Sequence, residues 1–158
     1  MKGEYIVSVY GSDRIKKLSN YKGKLYFISE KDIDNTTLKP RIPDNYFTKN
    51  GYENSSIKRV CFAPSINKCL TALSQNCSNK EYFVYEPMGE FEVYKPSIKD
   101  VPDCKITGEM WIIEPVKIKK VGKILCTGDD GKDGMKFKYG NNNESELYDW
   151  NYKWIEKE

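Results

Sequence analysis

Histidine is absent from this chain. The side chain that most often serves as a general base near neutral pH, and most often ligates metal, is therefore missing. Neither a Ser-His-Asp nor a Cys-His nucleophile can be assembled from these residues. Arginine is scarce: of 26 basic residues only Arg14, Arg41 and Arg59 are arginine. Cysteine is present but unpatterned. Cys61, Cys69, Cys77, Cys104 and Cys126 are odd in number, widely spaced and contain no Cys-x-x-Cys pair. That argues against a zinc site or a disulfide framework and for reduced thiols, so no metal is expected. No apolar run approaches the ~20 residues of a membrane span, and the first residues lack the apolar core of a secretion signal. A cytoplasmic chain with no membrane partner is the expectation. Strong charge of one sign is missing too: 23 acidic residues against 26 basic leave a net +3, which argues against nucleic acid as a partner.

What is present suits a folded body. At 158 residues, with 39% hydrophobic and 31% charged residues, the chain reads as one domain, 1–158, able to bury a core. Its 12 tyrosines either fill a strand-rich core or line a cleft. Abundant Lys, Asn, Ile and Tyr fit an AT-rich gene of a low-GC bacterium or its phage. Where arginine is this rare, each one is a candidate for the planar, bidentate grip on phosphate or carboxylate that lysine cannot supply.

One stretch organises the rest. Val60-Cys61-Phe62-Ala63 is an apolar run of strand length. Pro64 cannot donate to a ladder, so pairing stops there. Ser65 is placed to cap a helix whose Ile66, Cys69, Leu70 and Leu73 form one apolar stripe against a sheet. Such a turn either offers backbone amides to a phosphate or is an ordinary strand-to-helix connection. Around it, strands are expected at 4–10, 24–29, 81–86 and 108–113, with a short partner for the third at 91–94. The run 116–121 alternates apolar and basic, a strand half open to water, and 122–126 follows it. Residues 11–23 and 95–105 read as connections, and 29–53, stiffened by Pro40 and Pro43, as an ordered lobe over part of the sheet. The Gly- and Asp-rich run 127–134 has the chemistry of a hairpin turn before 135–139; its spacing does not fit a calcium loop. Residues 141–146 read as a polar loop, and 147–154 as a last strand with Tyr148, Trp150, Tyr152 and Trp154 on one packed face. About eight strands and one main helix are expected.

The order of three pieces, Leu25-Tyr26-Phe27-Ile28-Ser29, then Val60 to Leu73, then Thr107-Gly108-Glu109-Met110-Trp111, resembles the ADP-ribosyltransferase-like families. These include toxins, poly- and mono-ADP-ribosyltransferases and RNA 2′-phosphotransferases. The resemblance spans residues 24–124. It implies an α+β fold of split, mostly antiparallel β-sheets around a cleft with one main helix. It also implies NAD or a related nucleotide as ligand, Glu109 as catalytic acid, and Tyr26 and Phe62 as ring contacts. Ser65 falls at the corresponding turn, and the chemistry of Arg41 suits the pyrophosphate. A carboxylate beside the ribose stabilises the oxocarbenium-like charge left when nicotinamide departs, while aromatic rings hold the nicotinamide.

The first strand of those families carries Tyr-His; here it carries Tyr26-Phe27. Phe27 cannot donate the hydrogen bond that grips the adenosine ribose, a loss on the order of 1–3 kcal/mol in such a site. A second reading of another class therefore stands level: a non-enzymatic phage or mobile-element protein on the same scaffold, blocking a protein partner or sequestering a nucleotide. Each residue also has a plainer reading. Glu109 can be a solvated strand-edge carboxylate, Tyr26 and Phe62 core, Arg41 and Arg59 surface charges in loose ion pairs, and Ser65 a helix cap alone.

Overall fold

The computed structural model describes residues 15–43, 47–48, 51–52, 56–73, 77–97, 101, 104–129, 135–139, 143–147 and 150–158. The strands in chain order are β1 (Ile15–Leu18), β2 (Phe27–Ser29), β3 (Thr37–Leu38), β4 (Phe47–Thr48), β5 (Gly51–Tyr52) and β6 (Val60–Phe62). The main helix α1 (Ile66–Ala72) follows, then β7 (Glu81–Met88) and β8 (Val93–Pro96). A single helical turn, α2 (Cys104–Thr107), precedes β9 (Met110–Ile112), β10 (Val116–Asp129), β11 (Met135–Tyr139), β12 (Asn143–Leu147) and β13 (Trp150–Lys157). The fold is α+β. One antiparallel sheet has the order β1-β8-β9-β6, and a second has the order β13-β10-β7-β2 with β3 added to β10. β11 with β12, and β4 with β5, form separate hairpins.

Apolar residues fill three layers. Leu25, Val60, Phe62, Tyr85, Ile112 and Ile118 form one cluster, to which both sheets contribute. Ile15, Tyr94, Val101, Cys104 and Trp111 make another around the four-stranded sheet. Ile66 and Leu70 of α1 pack with Tyr82, Val84, Ile124, Cys126 and Trp150 in the third. Along β7 the side chains alternate, Tyr82 and Val84 to one layer, Phe83 and Tyr85 to the other, the period-two signature of a strand buried on both faces.

The sequence expectation separated 116–121 from 122–126, and the structure joins them in one 14-residue strand. The reason lies at Gly122. The register against β7 slips between Lys120 and Gly122. This bulge inverts the phase, so Val116 and Ile118 pack into one layer and Ile124 and Cys126 into the opposite one. A periodic reading without that extra residue sees two strands.

Other corrections follow from pairing that local pattern does not reveal. Residues 11–23 were expected to connect, yet Ile15 and Leu18 bracket two exposed lysines and add an edge strand to β8. Pro87 was expected to end its strand; β7 runs on to Met88 because Pro87 lies two residues past the last β2 pair, at Tyr85, and needs a ladder on one side alone. The segment after it is no hairpin partner. From Gly89, at φ 86°, the chain crosses to the other sheet, where β8 pairs β1 and β9. Residues 143–146, expected as part of a loop, pair with 136–139. The last strand begins at Trp150, and Leu147 belongs to β12. The expected strand at 4–10, the turn residues 130–134 and Tyr148 lie outside the described residues. Among those described, no helix is long and apolar enough to cross a membrane, and all five cysteines are thiols.

A Cβ added at Gly122 would meet the backbone oxygen of Glu156 and lie 2.6 Å from the ring of Trp154. Backbone cannot yield as a flexible side chain does. Gly122→Ala is therefore expected to cost about 1–3 kcal/mol in urea unfolding. A variant as stable as wild type would show that β13 does not press on the bulge.

Candidate functional site

The site begins where β2 changes partners. Phe27, Ile28 and Ser29 pair with β7, but Tyr26 turns to the other sheet. Its N–H donates to the Ala63 carbonyl at 2.8 Å, and its carbonyl accepts from the Ala63 N–H at 3.1 Å. Strand β2 thus closes one corner between the sheets, and Phe62 comes up against Phe27 with ring centroids 6.1 Å apart.

Arg41 arrives on a segment fixed at both ends. Upstream, Asn35 donates to the Ile118 carbonyl, Ile118 donates to the Thr36 carbonyl, and Leu38 pairs with Val116. The Tyr85 hydroxyl donates to the Lys31 carbonyl and accepts from the Ile33 N–H. Lys120 Nζ reaches the Asp32 carboxylate at 3.0 Å, which holds that carboxyl below its usual range and the ammonium above its own. Downstream, Arg41 and Arg59 exchange both backbone hydrogen bonds at 3.0 Å in an isolated antiparallel bridge.

Glu109 sits one residue before β9, whose Met110 pairs with Phe62. Its Oε2 accepts from Trp111 Nε1 at 2.6 Å, and its own N–H donates to the Thr107 hydroxyl at 3.3 Å. Trp111 is completely buried, and the guanidinium of Arg59 stacks 4.3 Å from the centre of its ring. Arg59 also donates from Nη1 to the Ile57 carbonyl at 3.0 Å. The indole therefore holds a cation on its face and a carboxylate at its edge, each where the ring's charge distribution favours it.

These pieces surround a cavity of about 370 Å³. Tyr26, Phe27 and Ile28 of β2 line it, with Arg59 to Ala63 around β6, Leu38, Lys39, Arg41 and Pro43 from the anchored segment, Cys69, Ala72 and Leu73 from α1, and Thr107 and Glu109. Of the five candidates read from sequence, Tyr26, Arg41, Phe62 and Glu109 meet here. Ser65 is not among the lining residues; its hydroxyl accepts from the Lys68 N–H at 3.2 Å and caps α1. Leu73, expected in the stripe of α1, is instead its C-cap and partly exposed at the cavity. Three cations, Lys39, Arg41 and Arg59, face one carboxylate, Glu109, among the described lining residues.

Arg59 is the functional candidate that the sequence reading passed over. As a surface charge it would be exposed, yet it is 2% accessible. The signal available was its position directly ahead of the apolar run 60–63, where a strand alternating in and out has little room for a solvated side chain. Cys69 lies against the back of the cavity, its thiol donating to the Tyr26 carbonyl at 3.3 Å. Burial pushes that thiol from 9.0 up to about 12, against a hydrogen bond with the Ala63 backbone that acts the other way. Compared with protein-family models, with curated proteins and with solved structures, the chain matches none.

The Cys69 shift has a defined consequence for stability. Below pH 9 the thiol is neutral in both states, and its full contribution is present. Between pH 9 and 12 the unfolded chain releases the proton while the native one keeps it, so stability falls by about 1.4 kcal/mol per pH unit. The stability advantage of wild type over Cys69→Ala should shrink at that slope between pH 9 and 11. A difference independent of pH would mean that the native thiol ionises normally.

Proposed function

We propose that this cavity binds NAD or a related nucleotide and that the chain is an ADP-ribosyltransferase-like domain with Glu109 as its catalytic acid. The supporting observation is that Tyr26, Arg41, Phe62 and Glu109, drawn from four separate segments, line one cavity of about 370 Å³. That volume lies in the lower part of the range of small-molecule sites, roughly 300–1,000 Å³. It suits one nucleoside end of a dinucleotide, with the rest toward the mouth. Tyr26 and Phe62 give the ring faces for a base or a nicotinamide. Arg41 supplies positive charge for the phosphates. The Trp111 hydrogen bond fixes Oε2 of Glu109 before any ligand arrives. A carboxylate oriented in advance stabilises developing positive charge on a ribose without reorganising at the moment of reaction.

A specific observation favours a second reading, in which the same scaffold binds without transfer. Phe27 occupies the place of the first-strand histidine, and its ring packs against both Phe62 and Tyr85, at 6.1 and 6.4 Å between centroids. It is built into the core layer and offers no polar group to a ribose. On this reading the protein sequesters a nucleotide or blocks a protein partner.

A thermal-shift series with NAD, ADP-ribose and simple nucleotides separates these readings, because a ligand that binds only the native state raises the melting temperature by mass action. The expected outcome is a rise with NAD for wild type and for Glu109→Gln alike, since the amide oxygen still accepts from Trp111. NAD turnover in the variant should fall on the order of 100-fold or more. Equal turnover in both proteins would remove Glu109 from the mechanism. A shift with no turnover in wild type would leave the sequestering reading, and no shift with any nucleotide would leave the protein-partner reading.

A further inference from the structure

We propose that Tyr85, which is not among the residues lining the cavity, is a positioning residue for it: its hydroxyl fixes the segment that brings Leu38, Lys39 and Arg41 to the cavity wall, and so sets ligand affinity without entering the reaction. This deepens the nucleotide reading of the cavity and rests on it for the ligand alone. The starting observation is topological. β2 lies beside β7, yet the next strand, β3, pairs with β10 on the edge away from β7. Residues 30–36 therefore cross β7 and β10 over one face of the sheet. A crossing chain has no ladder of its own to satisfy its backbone groups.

Tyr85 stands under that crossing. Its hydroxyl uses both of its capacities there, donating to the Lys31 carbonyl at 3.2 Å and accepting from the Ile33 N–H at 2.7 Å. Its ring is completely buried and packs on Phe27, which lines the cavity. One side chain thus supports an aromatic wall of the cavity and the root of the segment opposite. The other anchors give less or come later. The Asp32–Lys120 ion pair is partly open to water and contributes little. Lys120, opposite Tyr85 in the ladder, donates its N–H to Asp34 Oδ1 at 2.7 Å, and residues 35 and 36 then bond with Ile118. β3, at two residues, is shorter than strands usually are, so its hold depends on how its approach is fixed. A wall segment that is in place only part of the time lowers apparent affinity by that fraction.

Tyr85→Phe removes the hydroxyl and keeps the ring. Amide hydrogen exchange by NMR reads the segment in the free protein, and calorimetric titration with NAD reads the cavity. In the variant, the Ile33 N–H and the amides from Asn35 to Arg41 are expected to exchange at least about tenfold faster than in wild type. NAD affinity should fall roughly tenfold, and in turnover KM should rise by that factor with kcat within about twofold. Val84→Ala, completely buried in the layer on the opposite face of β7, controls for general loss of stability: it should lower the melting temperature and leave NAD affinity and those amides unmoved. Unchanged exchange in Tyr85→Phe overturns the proposal, as does a fall in kcat in place of the rise in KM, or an equal loss of NAD affinity in Val84→Ala. NAD binding that is indifferent to Tyr85→Phe keeps the nucleotide reading and ends the positioning role. Faster exchange in the variant, with no NAD binding by wild type, keeps the hold of Tyr85 on the segment and ends the nucleotide reading.

Discussion

The exchange of hydrogen bonds between Tyr26 and Ala63 is the constraint on which the architecture turns. A strand can satisfy its backbone on both sides only while its neighbours run beside it. Beyond Phe27, β2 has no further register with β7, and its next residue finds its partners in the other sheet. Two hydrogen bonds thus join the sheets at one corner, and Leu25 and Phe62 are buried close to it. The end of β6, the start of β2 and the N-cap of α1 all lie within a few residues of that corner in sequence.

Trp111 does for the charged groups what that corner does for the backbone. A guanidinium with almost no access to water and a partly buried carboxylate are both costly unless their charges are answered. Stacking on an indole face contributes about 0.5–2 kcal/mol, more as water is excluded, and a hydrogen bond to a charged acceptor contributes about 1.5–3 kcal/mol. One buried ring meets both groups at once: Arg59 over its face, Glu109 at its N–H. The orientation of each depends on the other through that ring, so cation and anion are set as a unit on β6 and the approach to β9.

The sequence carried these features unequally. The strand-turn-helix from Val60 was legible because each local signal agreed: an apolar run, a proline that stops pairing, a serine that caps, and a helical stripe. The strand-rich character was legible from short β-branched and aromatic runs bounded by turn residues, and the split-sheet class came from the family resemblance. What stayed hidden needs knowledge of partners. The bulge at Gly122 inverts the alternation of β10, so one strand looked like two. The crossing after Met88 looked like a hairpin turn, because glycine at positive φ serves both. Ile15 and Leu18 are too few to announce a strand until β8 lies beside them. In the cavity, Tyr26, Arg41, Phe62 and Glu109 were named from residue type and order, and the structure brings them to one place. The burial of Arg59 was missed because a lone arginine is ordinarily solvated, and nothing in the local pattern reveals an indole waiting across the sheet.

Several departures from local rules meet at the cavity. Tyr26 abandons its own sheet, Arg41 meets Arg59 across a bridge, and a buried guanidinium lies over a tryptophan ring. Elsewhere in the described body local rules are broken as well: β10 bulges before Gly122, and β7 runs on through Pro87. Departures at Gly122 and Pro87 are absorbed within the ladder of β10 and β7, whereas those at Tyr26, Arg41 and Arg59 shape the wall of the cavity.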